Sequence, residues 1–331
     1  MSKKNQHYIP KFYLRFFSYQ NDLKQIGIYN LKNHLFKQKV PLRHQCSKNF
    51  FYGEDEVIEN FLSQMEGKFD GFFKEIISSE ELNKKDLEEL HSLLAFFVLT
   101  DIRSLTSIEN LKGLSSRFNA LNLGIDMPEM SHHKVVDIMF SLFLDVLPTV
   151  LDLDYKLFKN TTNTRFITSD YPISKYNLLF EKIPAYFSVT GYRSKGLLVF
   201  LPISPKLTVV LFDKSTYKIG NKKDKVINIT NEKEIDQLNL LQFLNSYDAV
   251  FFNEFVSEEY IHKLELLACK HPKPNLPQTY TAKLEKPDGE MGELIVNRQN
   301  NTFIKLNISC ISIHSGSKKL SIDPLMINLR N

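Results

Sequence analysis

The 331-residue chain has no tryptophan and only three cysteines, Cys46, Cys269 and Cys310, set far apart. An odd and scattered set excludes a disulfide framework and the paired CxxC spacing of a structural zinc site. No apolar run approaches the ~20 residues that span a bilayer; stretches such as 93–99 are far shorter. The opening residues are interrupted by Pro10, Lys11 and Arg15, so they lack the apolar region of a signal peptide. These absences predict a cytoplasmic protein with no membrane partner. The GxxxxGK[ST] phosphate loop, GxGxxG after a strand, HExxH and the GxSxG elbow are also missing. The usual signatures of ATP hydrolysis, dinucleotide redox chemistry and serine hydrolysis are therefore absent.

What is present is an ordinary globular composition, 43% hydrophobic and 24% charged, with 26 phenylalanines to fill a core. The formal charge of +4 hides an asymmetry. Residues 1–48 carry ten basic side chains against one acid, a net +9, and residues 54–101 carry thirteen acids against four lysines, a net −9. Either the two segments face each other across the fold, or the basic one forms a surface for phosphates.

Apolar periodicity divides the chain. Residues 23–31 and 35–40 read as a hairpin around Asn30 to Asn33. Spacings of three and four place helices at 56–77, 87–105 and 131–151, the last capped by Ser131. After Asp152 the runs shorten to strands at 155–159, 165–168, 197–201 and 207–212, punctuated by proline and glycine. Residues 214–225 read as a solvated basic loop, 232–246 and 257–269 as helices, and 249–252 as a strand. Three prolines within 271–277 suggest a linker. Beyond it, a turn at Pro287-Asp288-Gly289-Glu290 and an alternating stretch at 303–314 suggest a small β element. The expectation is an α+β fold with a helical N-terminal half, a small mixed β-sheet and a C-terminal β-rich extension, divided as 1–271 and 272–331.

The opening Gln6-His7-Tyr8-Ile9-Pro10-Lys11-Phe12-Tyr13-Leu14-Arg15-Phe16-Phe17 resembles the start of a large, mainly bacterial family catalogued as a domain of unknown function, H-Y-[VI]-P-x-x-Y-L-x-x-F. Phe166-Ile167-Thr168-Ser169-Asp170-Tyr171-Pro172-Ile173 is similar to its F-[IV]-T-S-D-N-P-[VI] block, with Tyr171 where asparagine is commoner. Leu201-Pro202-Ile203-Ser204-Pro205 is similar to the P-L-S-P strand that follows. The resemblance runs over about residues 5–255 and leaves the tail outside. It implies a link to bacterial antiviral defence but brings no assigned chemistry.

Five residues are candidates for a site. His7 suits acid–base or ligand chemistry, or simply satisfies backbone groups before Pro10. Glu59 and Glu66 are seven residues apart, on one helix face and roughly 10 Å apart along the axis. Arg103 suits a phosphate clamp or an ion pair with Glu59 or Glu66. Asp170, after Thr168 and Ser169 at a strand end, is either an active-site acid or a turn cap. Together they suggest a metal-assisted hydrolase, a nuclease or phosphodiesterase, with His7, Glu59, Arg103 and Asp170 catalytic. Glu59, Glu66 and Asp170 would hold Mg²⁺ or Mn²⁺, and nucleic acid would be the partner. The alternative is a non-catalytic nucleic-acid- or protein-binding sensor whose polar cluster is structural.

Overall fold

The near-continuous apolar runs on either side of Pro205 become two adjacent antiparallel strands, and the remaining elements cover both of their faces. The computed structural model describes residues 4–19, 22–54, 56–82, 87–183, 187–274, 276–285, 289–318 and 329–330. Strand β1 (Asn5–His7) leads through Pro10 into helix α1 (Lys11–Arg15), and the hairpin β2 (Gln25–Asn30) and β3 (Leu35–Pro41) precedes β4 (Ser47–Asn49). Helices α2 (Val57–Ser79), α3 (Leu87–Ile102), α4 (Leu105–Lys112), α5 (Leu114–Asn119) and α6 (His132–Val146) follow. Then come β5 (Asp154–Asn160), β6 (Thr168–Ser169), β7 (Ser174–Tyr176), β8 (Leu198–Ser204), β9 (Leu207–Phe212), β10 (Tyr217–Ile219) and β11 (Val226–Ile229). Helix α7 (Glu232–Asn245), β12 (Ala249–Phe252) and α8 (Glu258–Ala268) lead into the tail. That tail holds the hairpin β13 (Pro277–Glu285) and β14 (Met291–Gln299), then β15 (Ile311–Ile313) and the single turn α9 (Ser315–Lys318).

The fold is α+β. A five-stranded mixed sheet runs β11-β5-β9-β8-β7, and a four-stranded antiparallel sheet runs β3-β2-β12-β6. Strands β8 and β9 are buried along their whole length, because both faces of the larger sheet are covered and neither needs polar residues. Leu157, Leu201, Val209 and Leu211 face the core formed with α1, α2, α3 and α6. Phe158, Phe200, Val210 and Phe212 face a second core with Ile235, Leu238 and Leu241 of α7. Side chains of α7 and α8 also pack on the smaller sheet.

Three expectations shift in detail. The helix expected over 87–105 is divided, because Ser104 takes extended backbone and its Oγ accepts from the Ser107 N–H at 3.1 Å, starting α4. The stretch 214–225 is not simply solvated. Tyr217 and Ile219 are buried and β10 pairs antiparallel with β15. The alternation at 303–314 gives a strand only at β15. Leu306 and Ile308 are buried in the core beside α7. Side chains satisfy that segment's backbone, with the Ile304 and Leu306 N–H groups donating to Tyr176 Oη (3.0 Å) and Glu181 Oε1 (2.8 Å). Pro287 and Asp288 of the expected turn lie outside the described residues. No described helix is long and apolar enough to cross a membrane.

Candidate functional site

The N-terminal segment is held in place mainly through its backbone. Strand β1 pairs with β4, and the Tyr8 N–H donates to Cys46 O at 2.9 Å. Gln6, buried, donates through Nε2 to Gly53 O (2.9 Å) and accepts from the Tyr52 N–H (2.6 Å). The carbonyl of His7 accepts from Tyr52 Oη at 3.1 Å and from Arg103 Nη2 at 2.6 Å. Arg103 is only 2% exposed. Its Nη1 pairs with Glu66 Oε1 at 2.8 Å, and its Nε donates to Tyr52 Oη at 3.0 Å. Burial pushes the Tyr52 phenol up to about 12, against the lowering influence of the Arg103 charge. Tyr52 is thus protonated at neutral pH, able to donate to His7 O while accepting from Arg103.

Above this joint lies a cavity of about 260 Å³, lined among others by His7, Lys11, Arg43, Glu59, Glu66 and Arg103. The i, i+7 spacing on α2 delivers both carboxylates to it, as one helix face must. A neighbouring cavity of about 640 Å³ shares Lys11 and Arg43 and adds Arg15, Lys24, Asp70 and Lys74. The two form one groove between α1, the β3 end and α2. Its basic wall comes from residues 11–43 and its acidic wall from residues 59–70. The charge asymmetry of the sequence is therefore resolved by opposition. Asp70 and Lys74 neutralise each other at 2.8 Å, and Arg103 pairs with Glu66, leaving Lys11, Arg15, Lys24 and Arg43 against Glu59 alone among the described lining residues.

Asp170 is elsewhere. It does not line this groove and is only 2% exposed. Its Oδ1 accepts from the Tyr247 N–H (2.8 Å), and its Oδ2 from the Asp248 (2.7 Å) and Ala249 (3.0 Å) N–H groups. It caps the turn from α7 into β12, a distant segment, and not its own backbone before Pro172 as an Asx-type turn would. Burial pushes its carboxyl up to about 6, partly offset by these backbone donors. The expected Glu59, Glu66 and Asp170 metal set is not assembled. Among the described residues no three His, Cys, Asp or Glu side chains are grouped to hold an ion. The reason is the placement of Asp170 beneath a turn while the glutamates lie on α2.

The opening motif and the Thr-Ser-Asp block do meet, through a structural joint. Tyr13 Oη donates to Pro202 O at 2.7 Å and lies 2.6 Å from Thr168 Oγ1. Ser169 Oγ bonds Gln242 Oε1 at 3.1 Å. Tyr171 donates its hydroxyl to Asp101, which is also ion-paired with Lys175 at 2.9 Å. A second histidine is also held against the backbone, His132 Nε2 lying 2.9 Å from Phe51 O.

Lys11 and Arg43 carried no signal as site residues beyond their charge. Only the folding of α1 and β3 against α2 places them beside the glutamates. No curated protein and no solved structure matches the chain. A family model described as protein of unknown function (DUF4238) matches residues 5–254, three quarters of the sequence. The chain belongs to the DUF4238 family.

Proposed function

We propose that this chain is a cytoplasmic nucleic-acid hydrolase that binds a phosphate backbone along the basic groove and cuts a phosphodiester bond at its His7 end. The observation that carries this reading is the convergence of His7, Glu59, Glu66 and Arg103 on one cavity that continues into the groove through Lys11 and Arg43. Clustered Lys and Arg neutralise successive phosphates, and an imidazole and a carboxylate lining one cavity are the group types that transfer protons near neutral pH. One of His7 and Glu59 takes a proton from water, whose oxygen bonds to phosphorus. The bond from phosphorus to the leaving sugar oxygen then breaks, and the other group returns a proton to that oxygen. Arg103 and Glu66 act here by positioning the His7 backbone. Among the described residues no three His, Cys, Asp or Glu side chains gather at this cavity to hold a cation.

The test is cleavage and binding of labelled single-stranded RNA and DNA, with Mg²⁺, with Mn²⁺ and with chelator. His7→Gln and Glu59→Gln should abolish cleavage and leave binding within about threefold, well under the 1.4 kcal/mol of a tenfold change. Lys11→Glu with Arg15→Glu should weaken binding. A wild-type protein that neither binds nor cuts overturns the proposal. Binding without turnover supports the second reading, a binding module, which the closed pairing of buried Arg103 with Glu66 and Tyr52 favours.

A further inference from the structure

The C-terminal hairpin lies outside the residues shared with the family, yet it closes a cavity against the helical half. Helix α5 contacts β13, and between them is a space of about 250 Å³ lined by Asn110, Arg117, Ser188, Asn297, Arg298 and Gln299, with apolar Leu111, Leu114 and Pro277. The described lining thus presents two guanidinium groups, three side-chain amides and a hydroxyl, and no carboxylate. Arg117 is fixed in place. Its Nη2 donates to Asn110 O at 2.7 Å, and a Cβ added at Gly113 would meet Nη1 at 2.7 Å, so the backbone passes close beside the guanidinium. Its Nε is buried and meets no acceptor among the described residues, and burial alone lowers its pKa. From the other side, Arg298 stands 5.5 Å from the centroid of the Tyr280 ring, which braces it.

The buried Nε–H of Arg117 calls for an anion, and a planar fork from each side of the cavity with several amide donors matches a tetrahedral oxyanion better than a single carboxylate. The volume is that of a small molecule. We propose that this cavity is a binding site for a small phosphate monoester, clasped between Arg117 of α5 and Arg298 of the tail hairpin, and separate from the groove.

Ribose 5-phosphate is the probe, titrated by calorimetry against the full chain, with ribose and acetate as controls and inorganic phosphate as a second arm. Ribose 5-phosphate and phosphate should bind and raise the thermal midpoint, whereas ribose and acetate should not. Asn297→Asp brings a carboxylate into the cavity while keeping both arginines and the oxygen that accepts from Thr279 at 3.1 Å. It should weaken binding at least about tenfold, as should Arg117→Gln, the scale of a lost charge-assisted hydrogen bond. Lys11→Glu with Arg15→Glu should leave this binding unchanged. The site is overturned if ribose 5-phosphate shows no binding up to about 10 mM, beyond which affinity is negligible. It is equally overturned if Asn297→Asp binds as well as wild type, or if the groove variant is the one that loses binding. None of these results depends on cleavage of nucleic acid.

Discussion

Arg103 and Asp170 both read in the sequence as groups that could touch substrate, and each is committed largely to its own protein. Replacing Arg103 with methionine keeps most of the volume. It strands the Glu66 carboxylate and removes one of the partners of Tyr52 Oη and of the His7 carbonyl, all three of which the guanidinium now contacts at 2.6–3.0 Å. Loss of one partner of a buried ion pair is expected to destabilise the chain by about 3 kcal/mol, the low end of the range because Glu66 keeps some solvent access. Denaturant unfolding of Arg103→Met measures this, and an unchanged midpoint would show the pair to be dispensable. Asp170 makes stability depend on pH with a definite sign. Its carboxyl rises from 3.8 unfolded to about 6 folded, so folding takes up a proton between those values. The associated stability, of order 3 kcal/mol at 1.36 kcal/mol per unit, is fully present below pH 4 and lost as pH rises to about 6. The difference in unfolding free energy between wild type and Asp170→Asn should therefore fall over that interval and stay flat above it. A difference that grows with pH would mean the three backbone donors outweigh burial.

At the scale of elements, the joint between α1 and β6 explains why aromatic and hydroxyl residues recur so far apart in the chain. Tyr13→Phe removes the donor to Pro202 O and the partner of Thr168 inside a closed core. It should destabilise by about 1–2 kcal/mol in equilibrium unfolding while leaving helix content unchanged. Strands β2 and β12 approach closely at Gly27, where an added Cβ would stand 2.3 Å from the Phe252 ring and 2.9 Å from the Phe252 carbonyl oxygen. The ring is fully buried and stacked on Phe36 and the carbonyl is part of the sheet, so Gly27→Ala should destabilise by about 1–3 kcal/mol, measured by thermal unfolding. The hairpin, the helix starting after Ser131 and the strands at 207–212 and 249–252 were all legible, because local periodicity and capping chemistry act within a few residues. The division after Ile102 and the buried strand β10 were not. Both depend on which distant surface a short segment meets.

For the whole molecule, the opposed charges of residues 1–48 and 54–101 become the two walls of one groove. If a polyanion binds the basic wall, affinity should fall steeply with salt. Lys11→Ala with Arg15→Ala should then reduce the slope of log K against log salt by about 1–2, roughly one counterion per charge removed. Filter binding across a salt series measures it, and an unchanged slope would place the nucleic acid elsewhere. The tail, though outside the family's span, contributes Leu306 and Ile308 to the core beside α7 and closes the Arg117 cavity.

From sequence alone came the family resemblance, which rests on its motifs, and the α+β class, most helices and strands, and the facing of Glu59 and Glu66 on one helix side, which follow from short-range backbone geometry. Tertiary structure alone decided that His7, Arg103 and the glutamates share a cavity with Lys11 and Arg43 and that Asp170 lies under a turn instead. Such outcomes depend on which backbone donors a buried carboxylate meets 77–79 residues away. Nothing within reach of a local pattern encodes that meeting, because the chain's long-range contacts are chosen by burial of the whole core at once.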